Sequence, residues 1–222
     1  MKQLYKPIIA VVGQSGSGKS TSLRNLNPAS TLIIDMELKG FPFRGADKFN
    51  VVHATSCTEA VKAFKEAVAG GKYDVIVIES FTKYNELTLT QAAAVTNNDG
   101  FKTYAMLERM TGAFLDVLKN TVATVVVTAI DEIVKIPAAD LTETSVRRIA
   151  TKGRSWEGKI EKEFVAVLFT QTTKDKEGNI SYMFQTNTDG TTSAKTPMGM
   201  FSAKLIPNDM AAVIGAVKEY YE

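Results

Sequence analysis

The chain has 222 residues, of which 45% are hydrophobic, 23% charged and 9% aromatic, a balance that excludes disordered, collagenous and coiled-coil proteins and predicts one buried core. Twenty-six Lys and Arg stand against 24 Asp and Glu, a formal charge of +2, so a nucleic-acid partner would have to meet a local basic patch rather than a global field. One cysteine, Cys57, permits no intramolecular disulfide, and one histidine, His53, leaves no His/Cys cluster for structural zinc.

Pro7-Ile8-Ile9-Ala10-Val11-Val12 reads as a buried strand, which GQSGSGKS breaks; STSLRNL then turns helical before a second strand over Thr31-Leu32-Ile33-Ile34. Next come Val51-Val52, a helix over EAVKAFKEAVAG that stops at Gly70-Gly71, and the strand Asp74-Val75-Ile76-Val77-Ile78. A helix over about Lys102 to Lys119 carries Leu107, Met110, Phe114, Leu115 and Leu118 at three-to-four spacing and leads into the strand Val122 to Val127. Apolar strands alternating with helices predict an α/β fold, a mainly parallel sheet covered on both faces. Residues 131–158 lack a period and read as a long loop or short helical pieces. Phe164 to Phe169 and Ile180 to Phe184 bracket a hairpin at Gly178-Asn179, which places antiparallel strands at the C-terminal edge. An amphipathic helix capped by Asn208 ends the chain. With no internal repeat and no low-complexity linker, residues 1–222 are expected to form a single domain.

Gly13-Gln14-Ser15-Gly16-Ser17-Gly18-Lys19-Ser20, followed by Thr21, fits G-x-x-x-x-G-K-[ST] between a strand and a helix. Glycines there let successive backbone N–H groups turn inward as an anion nest at a helix start, where unpaired donors and the dipole favour phosphate. Lys19 is expected to reach the β/γ oxygens and the Ser20 hydroxyl to ligate Mg2+. ATP and Mg2+ are the expected cofactors.

Phosphoryl transfer also needs a metal-side carboxylate and a group that orients the attacking water. Glu79 sits at the carboxyl end of an apolar strand, the edge where open α/β sheets bind ligands, and is the expected Mg2+-side carboxylate. Asp35 and Glu37 end the other strand two residues apart, and Glu37 is the expected base. Thr128 ends the Val122 strand as a candidate γ-phosphate sensor.

GQSGSGKST, IIDMELKG, YDVIVIES and VVVTAIDE, in that order from Ile8 to Glu132, resemble the RecA-like P-loop ATPases, in particular the phage-type AAA-domain proteins that include single-strand annealing recombinases. The resemblance implies a RecA-like core, self-assembly into a homo-oligomer with ATP near subunit interfaces and, for the annealing branch, single-stranded DNA as partner, with a single-strand DNA-binding protein as a further one. By position Glu37 corresponds to the catalytic glutamate and Glu79 to the usual aspartate of the second strand. A later Ala194-Lys195 segment implies Lys195 as a finger reaching a neighbour's γ-phosphate.

In such a core the loops after the Glu79 and Thr128 strands are expected to face nucleic acid. They contain Lys83 and Tyr84, then Lys135, Arg147, Arg148, Lys152, Arg154 and Trp156, cations and an aromatic suited to phosphate contact and base stacking. Trp156 has anchoring of its loop to the core as an alternative role. The leading expectation is a slow, DNA-dependent ATPase of recombination or annealing. A P-loop phosphotransferase with Arg147, Arg148 and Arg154 as its lid, or a nucleotide-controlled switch without turnover, are the alternatives. No apolar run approaches the roughly 18–20 residues that span a bilayer, and the N-terminus lacks a signal-peptide core, so a cytoplasmic protein without membrane partners is expected.

Overall fold

The computed structural model describes residues 7–137 and 143–221. Its strands are Ile8–Val12 (β1), Thr31–Asp35 (β2), Asn50–His53 (β3), Val75–Glu79 (β4), Thr124–Ala129 (β5), Asp131–Pro137 (β6), Glu143–Ile149 (β7), Ala166–Lys174 (β8), Ile180–Gln185 (β9) and Leu205–Pro207 (β10). Its α-helices are Cys57–Gly70 (α1), Phe81–Val95 (α2), Gly100–Lys119 (α3) and Met210–Tyr221 (α4). The main sheet has the order β10-β9-β8-β1-β5-β4-β2-β3. Strands β8, β1, β5, β4, β2 and β3 run parallel, and β9 and β10 close the C-terminal edge antiparallel to their neighbours.

Every residue of β1, β2, β4 and β5 is buried, which is why these segments read as continuous apolar runs. Their side chains alternate between two cores. Ile8, Ala10 and Val12 face α1 to α3 with Phe64, Phe81, Phe114 and Leu118. Ile9 and Val11 face Leu23 and Leu26 after the glycine loop, together with Met210, Val213 and Val217 of α4. Each fully buried side chain of this size contributes about 1.5–3 kcal/mol relative to exposure. Among the described residues no helix is long and apolar enough to cross a membrane.

Four expectations need correction. Residues 131–137 and 143–149 form a two-stranded antiparallel ribbon, β6 and β7, rather than a loop or helical pieces; residues 138–142 lie outside the described residues. Beyond its base, where Arg147 bridges to Thr192 and Ile149 joins the core, the ribbon is largely exposed and needs no continuous apolar face, so its sequence carries no clean alternation. The segment after Glu79 is helix α2, not a loop: Ser80 caps it by accepting from Lys83 N at 3.2 Å. That helix escapes a periodicity search because its inward face is partly polar, Asn85 bonding Thr111 at 3.0 Å and Thr88 bonding Tyr84 O at 2.8 Å. The cap of α4 is Asp209, whose Oδ1 accepts from Ala211 N at 2.9 Å, and not Asn208. The STSLRN segment is a short 3-10 turn, Ser20–Asn25, ended by extended Leu26 just ahead of Pro28.

Candidate active site

Strand β1 hands the chain to the glycine loop at Gly13, whose N–H is bonded by Ala129 O at 3.1 Å. Gly16 and Gly18 adopt φ of 76° and 96°, left-handed conformations that side-chain-bearing residues resist. Gly13 is needed for a different reason: a Cβ there would lie 1.8 Å from Thr170 Oγ1 of β8. Thr170 donates to Val12 O at 3.1 Å and meets the Ser17 hydroxyl at 2.6 Å, so β8 backs the loop. Lys19 folds over it, its Nζ donating to Gly13 O at 2.7 Å and Gln14 O at 2.9 Å. Burial lowers the Lys19 pKa, against the upward pull of Glu79.

The parallel register sets Asp35 of β2 beside Glu79 of β4. Glu79 is 4% exposed, and its Oε1 accepts from Ser20 Oγ at 2.7 Å while Oε2 accepts from Thr128 Oγ1 at 2.8 Å. Burial raises its pKa, opposed by these two hydrogen bonds and by Lys19. Thus Ser20, Glu79 and Thr128, expected separately from three segments, form one chain of contacts. Asp35 is occupied elsewhere: its Oδ1 accepts from Glu37 N at 2.9 Å and Leu38 N at 3.2 Å, and His53 Nδ1 lies 3.2 Å from Oδ2. It shapes the turn that presents Glu37. Glu37 Oε1 accepts from Ser80 Oγ at 2.6 Å, and its Oε2 lies 3.2 Å from Lys39 Nζ. Burial pushes the Glu37 pKa up, but the Ser80 and Lys39 contacts outweigh it and hold the carboxyl below its ordinary value.

These groups line a cleft of about 750 Å³ that includes Ser15, Gly16, Gly18, Lys19, Ser20, Thr21, Glu37, Glu79 and, from β9, Tyr182. The glycine cradle and Lys19 fit a polyphosphate, and the hard oxygen donors of Ser20 and Glu79 fit Mg2+. Among the described residues no group of three or more His, Cys, Asp and Glu is placed to hold a metal ion, so a metal held here would complete its shell from phosphate and water.

The remaining expected residues lie elsewhere. Lys195 pairs through its backbone with Val167 at 2.8 and 3.0 Å and is not part of the cleft lining; burial lowers its pKa, against the pull of Glu161 and Glu163. Lys135 lies 2.8 Å from Glu143 across the ribbon. Arg147 donates from Nε to Asp131 Oδ2 at 2.6 Å and stands 5.5 Å from the Phe169 ring centroid, which ties it to the ribbon's base. Arg148 sits opposite Glu132, and Lys152 and Arg154 are exposed. Trp156 packs against Gly112 of α3 and bonds Glu108 O at 3.3 Å, the anchoring alternative. Tyr84 is 2% exposed and stacked on Phe114 with centroids 3.7 Å apart, so it offers no stacking surface.

Sequence reasoning missed Ser80, Asp131, Thr170 and Tyr182. Ser80 and Asp131 carried a signal, since each lies within two residues of the end of a strand that reaches the loop; Thr170 and Tyr182 come from the late hairpin and carried none. A family model described as an AAA domain matches residues 6–198. No curated protein matches the chain.

Proposed function

The chain belongs to the AAA-domain family of P-loop ATPases, and on that premise we propose that it is a Mg2+-dependent ATPase stimulated by single-stranded DNA. The observation that carries this reading is the Ser20–Glu79–Thr128 chain, with Glu37 beside it on Ser80, all at the carboxyl ends of parallel strands around one phosphate loop. ATP with Mg2+, when bound, supplies a phosphoanhydride whose charge the metal partly neutralises. Lys19 leaves Gly13 O and Gln14 O for phosphate oxygens. Ser20 and Glu79 would hold the metal side, Glu37 would take the attacking water's proton as its oxygen bonds the γ-phosphorus and the bond to the ADP leaving group breaks, and Thr128 would fix the Glu79 carboxylate. Glu79 in place of the usual aspartate is the basis for expecting slow turnover.

The DNA proposal is supported by the ribbon β6–β7, which leaves the sheet one residue after β5 and is tied to the phosphate loop through Asp131. Lys135 on one face of the ribbon, Arg148 on the other, and Lys152 and Arg154 beyond β7 are the proposed phosphate-contacting cations; Arg147 and Trp156 are taken up by Asp131 and α3. Recombination or annealing as a cytoplasmic homo-oligomer, with Lys195 reaching a neighbour's nucleotide and a single-strand DNA-binding protein as partner, completes the reading. The switch alternative draws on Glu79 in place of the usual aspartate and on Lys19 closed over its own loop.

The test is ATP hydrolysis by the pure protein with Mg2+, with and without single-stranded DNA, using Lys19→Ala as the blank. Stimulation that the variant lacks supports the reading. Tight ATP binding with no turnover, even with DNA, selects the switch, and transfer to a small acceptor selects a phosphotransferase.

A further inference from the structure

We propose that Tyr182, on the wall of the cleft, and Asn208, buried beside it against the phosphate loop, select adenine, Tyr182 by stacking and Asn208 by pairing its side-chain amide with the base edge. This deepens, and rests on, the nucleotide reading above.

The strand order gives the direction. Glu79 on β4 and Glu37 after β2 lie on the β5 side of β1, and Tyr182 on β9 lies on the β8 side. Neighbouring strands are about 4.8 Å apart, so β9 stands roughly 10 Å from β1, away from the carboxylates. A triphosphate whose terminal group meets Lys19, Ser20 and Glu79 therefore sends its nucleoside toward Tyr182.

Tyr182 lines the cleft, is 44% exposed, and its Cδ1 lies 2.9 Å from the position a Cβ would take on Gly18. Its ring thus rests on the phosphate loop. Behind it, Asn208 is fixed through its backbone: its N–H donates to Tyr182 O at 3.1 Å, and its carbonyl accepts from Arg24 Nη1 at 2.7 Å. The side chain is the anomaly. Asn208 is 2% exposed, and among the described residues neither Nδ2 nor Oδ1 has a hydrogen-bond partner. Both atoms stand against Gly18, 3.4 and 3.5 Å from the same Cβ position. A buried amide with both halves unspent carries an uncompensated desolvation cost.

One donor beside one acceptor matches adenine, whose N6 amine donates and whose N7 accepts. Guanine and hypoxanthine present two acceptors, O6 and N7, on that edge and leave one half of the amide opposed. Asn208 is buried and is not among the residues that line the cleft, so pairing with a base requires the Tyr182 ring to turn off Gly18 and lie along the base. Phe41, which also lines the cleft, follows Glu37 on the carboxylate side, and its ring meets Phe43 at 5.9 Å.

The test is calorimetric binding of ATP, GTP, ITP and inorganic tripolyphosphate, each with Mg2+. Wild type is expected to bind ATP at least about tenfold more tightly than GTP or ITP. Asn208→Leu is expected to shrink that ratio to within about threefold while tripolyphosphate affinity holds and the ligand-free protein melts no lower. Tyr182→Ala, at an exposed position that folding tolerates, is expected to weaken all three nucleotides about tenfold and leave tripolyphosphate unchanged. Phe41→Ala leaves the ATP/GTP ratio intact. A wild type without base preference, an Asn208→Leu that keeps it, or a Phe41→Ala that erases it overturns the assignment. Failure of wild type to bind either ATP or tripolyphosphate overturns the nucleotide reading itself, an outcome distinct from phosphate binding without base choice.

Discussion

Gln14 and Asp131 are joined twice: the Gln14 side-chain nitrogen donates to both the backbone oxygen and Oδ1 of Asp131, each at 2.9 Å. From the other side Arg147 donates to Oδ2 of the same carboxylate, which is 1% exposed. Phosphate loop, strand β6 and strand β7 therefore share one buried group. Asp131→Ala is expected to destabilise the protein by about 2–3 kcal/mol in urea melts, less than for a fully buried pair because Arg147 is 29% exposed. Gln14→Ala should cost about 1 kcal/mol. Asp131→Ala combined with Arg147→Ala should cost clearly less than the sum of the two singles; full additivity would show that the pair is not coupled.

The Ser80 hydroxyl sets the ionisation of Glu37. A base held below its ordinary pKa stays ionised to lower pH, so removing the donor raises that pKa and activity disappears at a higher pH on the acid side. Ser80→Ala is expected to lower kcat about tenfold and move the acid limb of the pH–rate profile upward. Glu37→Gln should lower kcat by about 10²–10⁴-fold with ATP binding retained. An unchanged acid limb in Ser80→Ala would remove Ser80 from this role.

Glu79 is expected to weaken the ligand-free protein at neutral pH. Its folded pKa is raised by burial above the ordinary 4.5, so between those two values the native state holds more protons than the unfolded chain. Stability falls as pH climbs through that window. Glu79→Gln, which keeps partners for Ser20 and Thr128, should melt a few degrees above wild type at pH 7 without nucleotide, since 1 kcal/mol is about 2–4 °C at this size. Below pH 4.5 the two should converge. A lower melting temperature for the variant at pH 7 would contradict the assignment.

Single-stranded DNA binding should weaken with salt by about 0.7 log units per log unit for each cation engaged. Charge removal at Lys135, Arg148, Lys152 or Arg154 should reduce that slope one contact at a time. Arg147→Ala is expected to act differently, lowering the melting temperature because it leaves Asp131 buried without its cation. A salt-independent affinity, or a slope that ignores all four positions, would eliminate this surface.

The parts of the molecule legible in the sequence were those whose signal is local. Val75 to Glu79 announces itself as a two-sided buried strand, and the glycine spacing announces the phosphate loop, because each rests on contiguous residues. That Glu37, Glu79 and Thr128 lie near the phosphate loop was legible from their places at or just after strand ends. What was hidden depended on tertiary partners. Helix α2 spends its inward face on Asn85 and Thr88, so polarity masked its period. Glu37 was the expected base of the Asp35–Glu37 pair, but only the turn's backbone donors show that Asp35 is spent on shape. Arg147 looked like any other cation of its loop until Asp131 was found beside it.

Thr170 supports Val12 across 158 positions of sequence, and the strand it belongs to is one of the two that flank β1. Strand β1 is thus completed by a strand that the ribosome makes some 158 residues later. At about 5–20 residues per second, an emerging chain carries its glycine loop unbacked for on the order of ten seconds before Thr170 exists. Closing so long a loop carries an entropic cost that disfavours early pairing of β8 with β1. Nucleotide capture therefore reports a finished molecule: a chain released before its hairpin would hold the whole phosphate motif and still lack the wall that keeps it in shape.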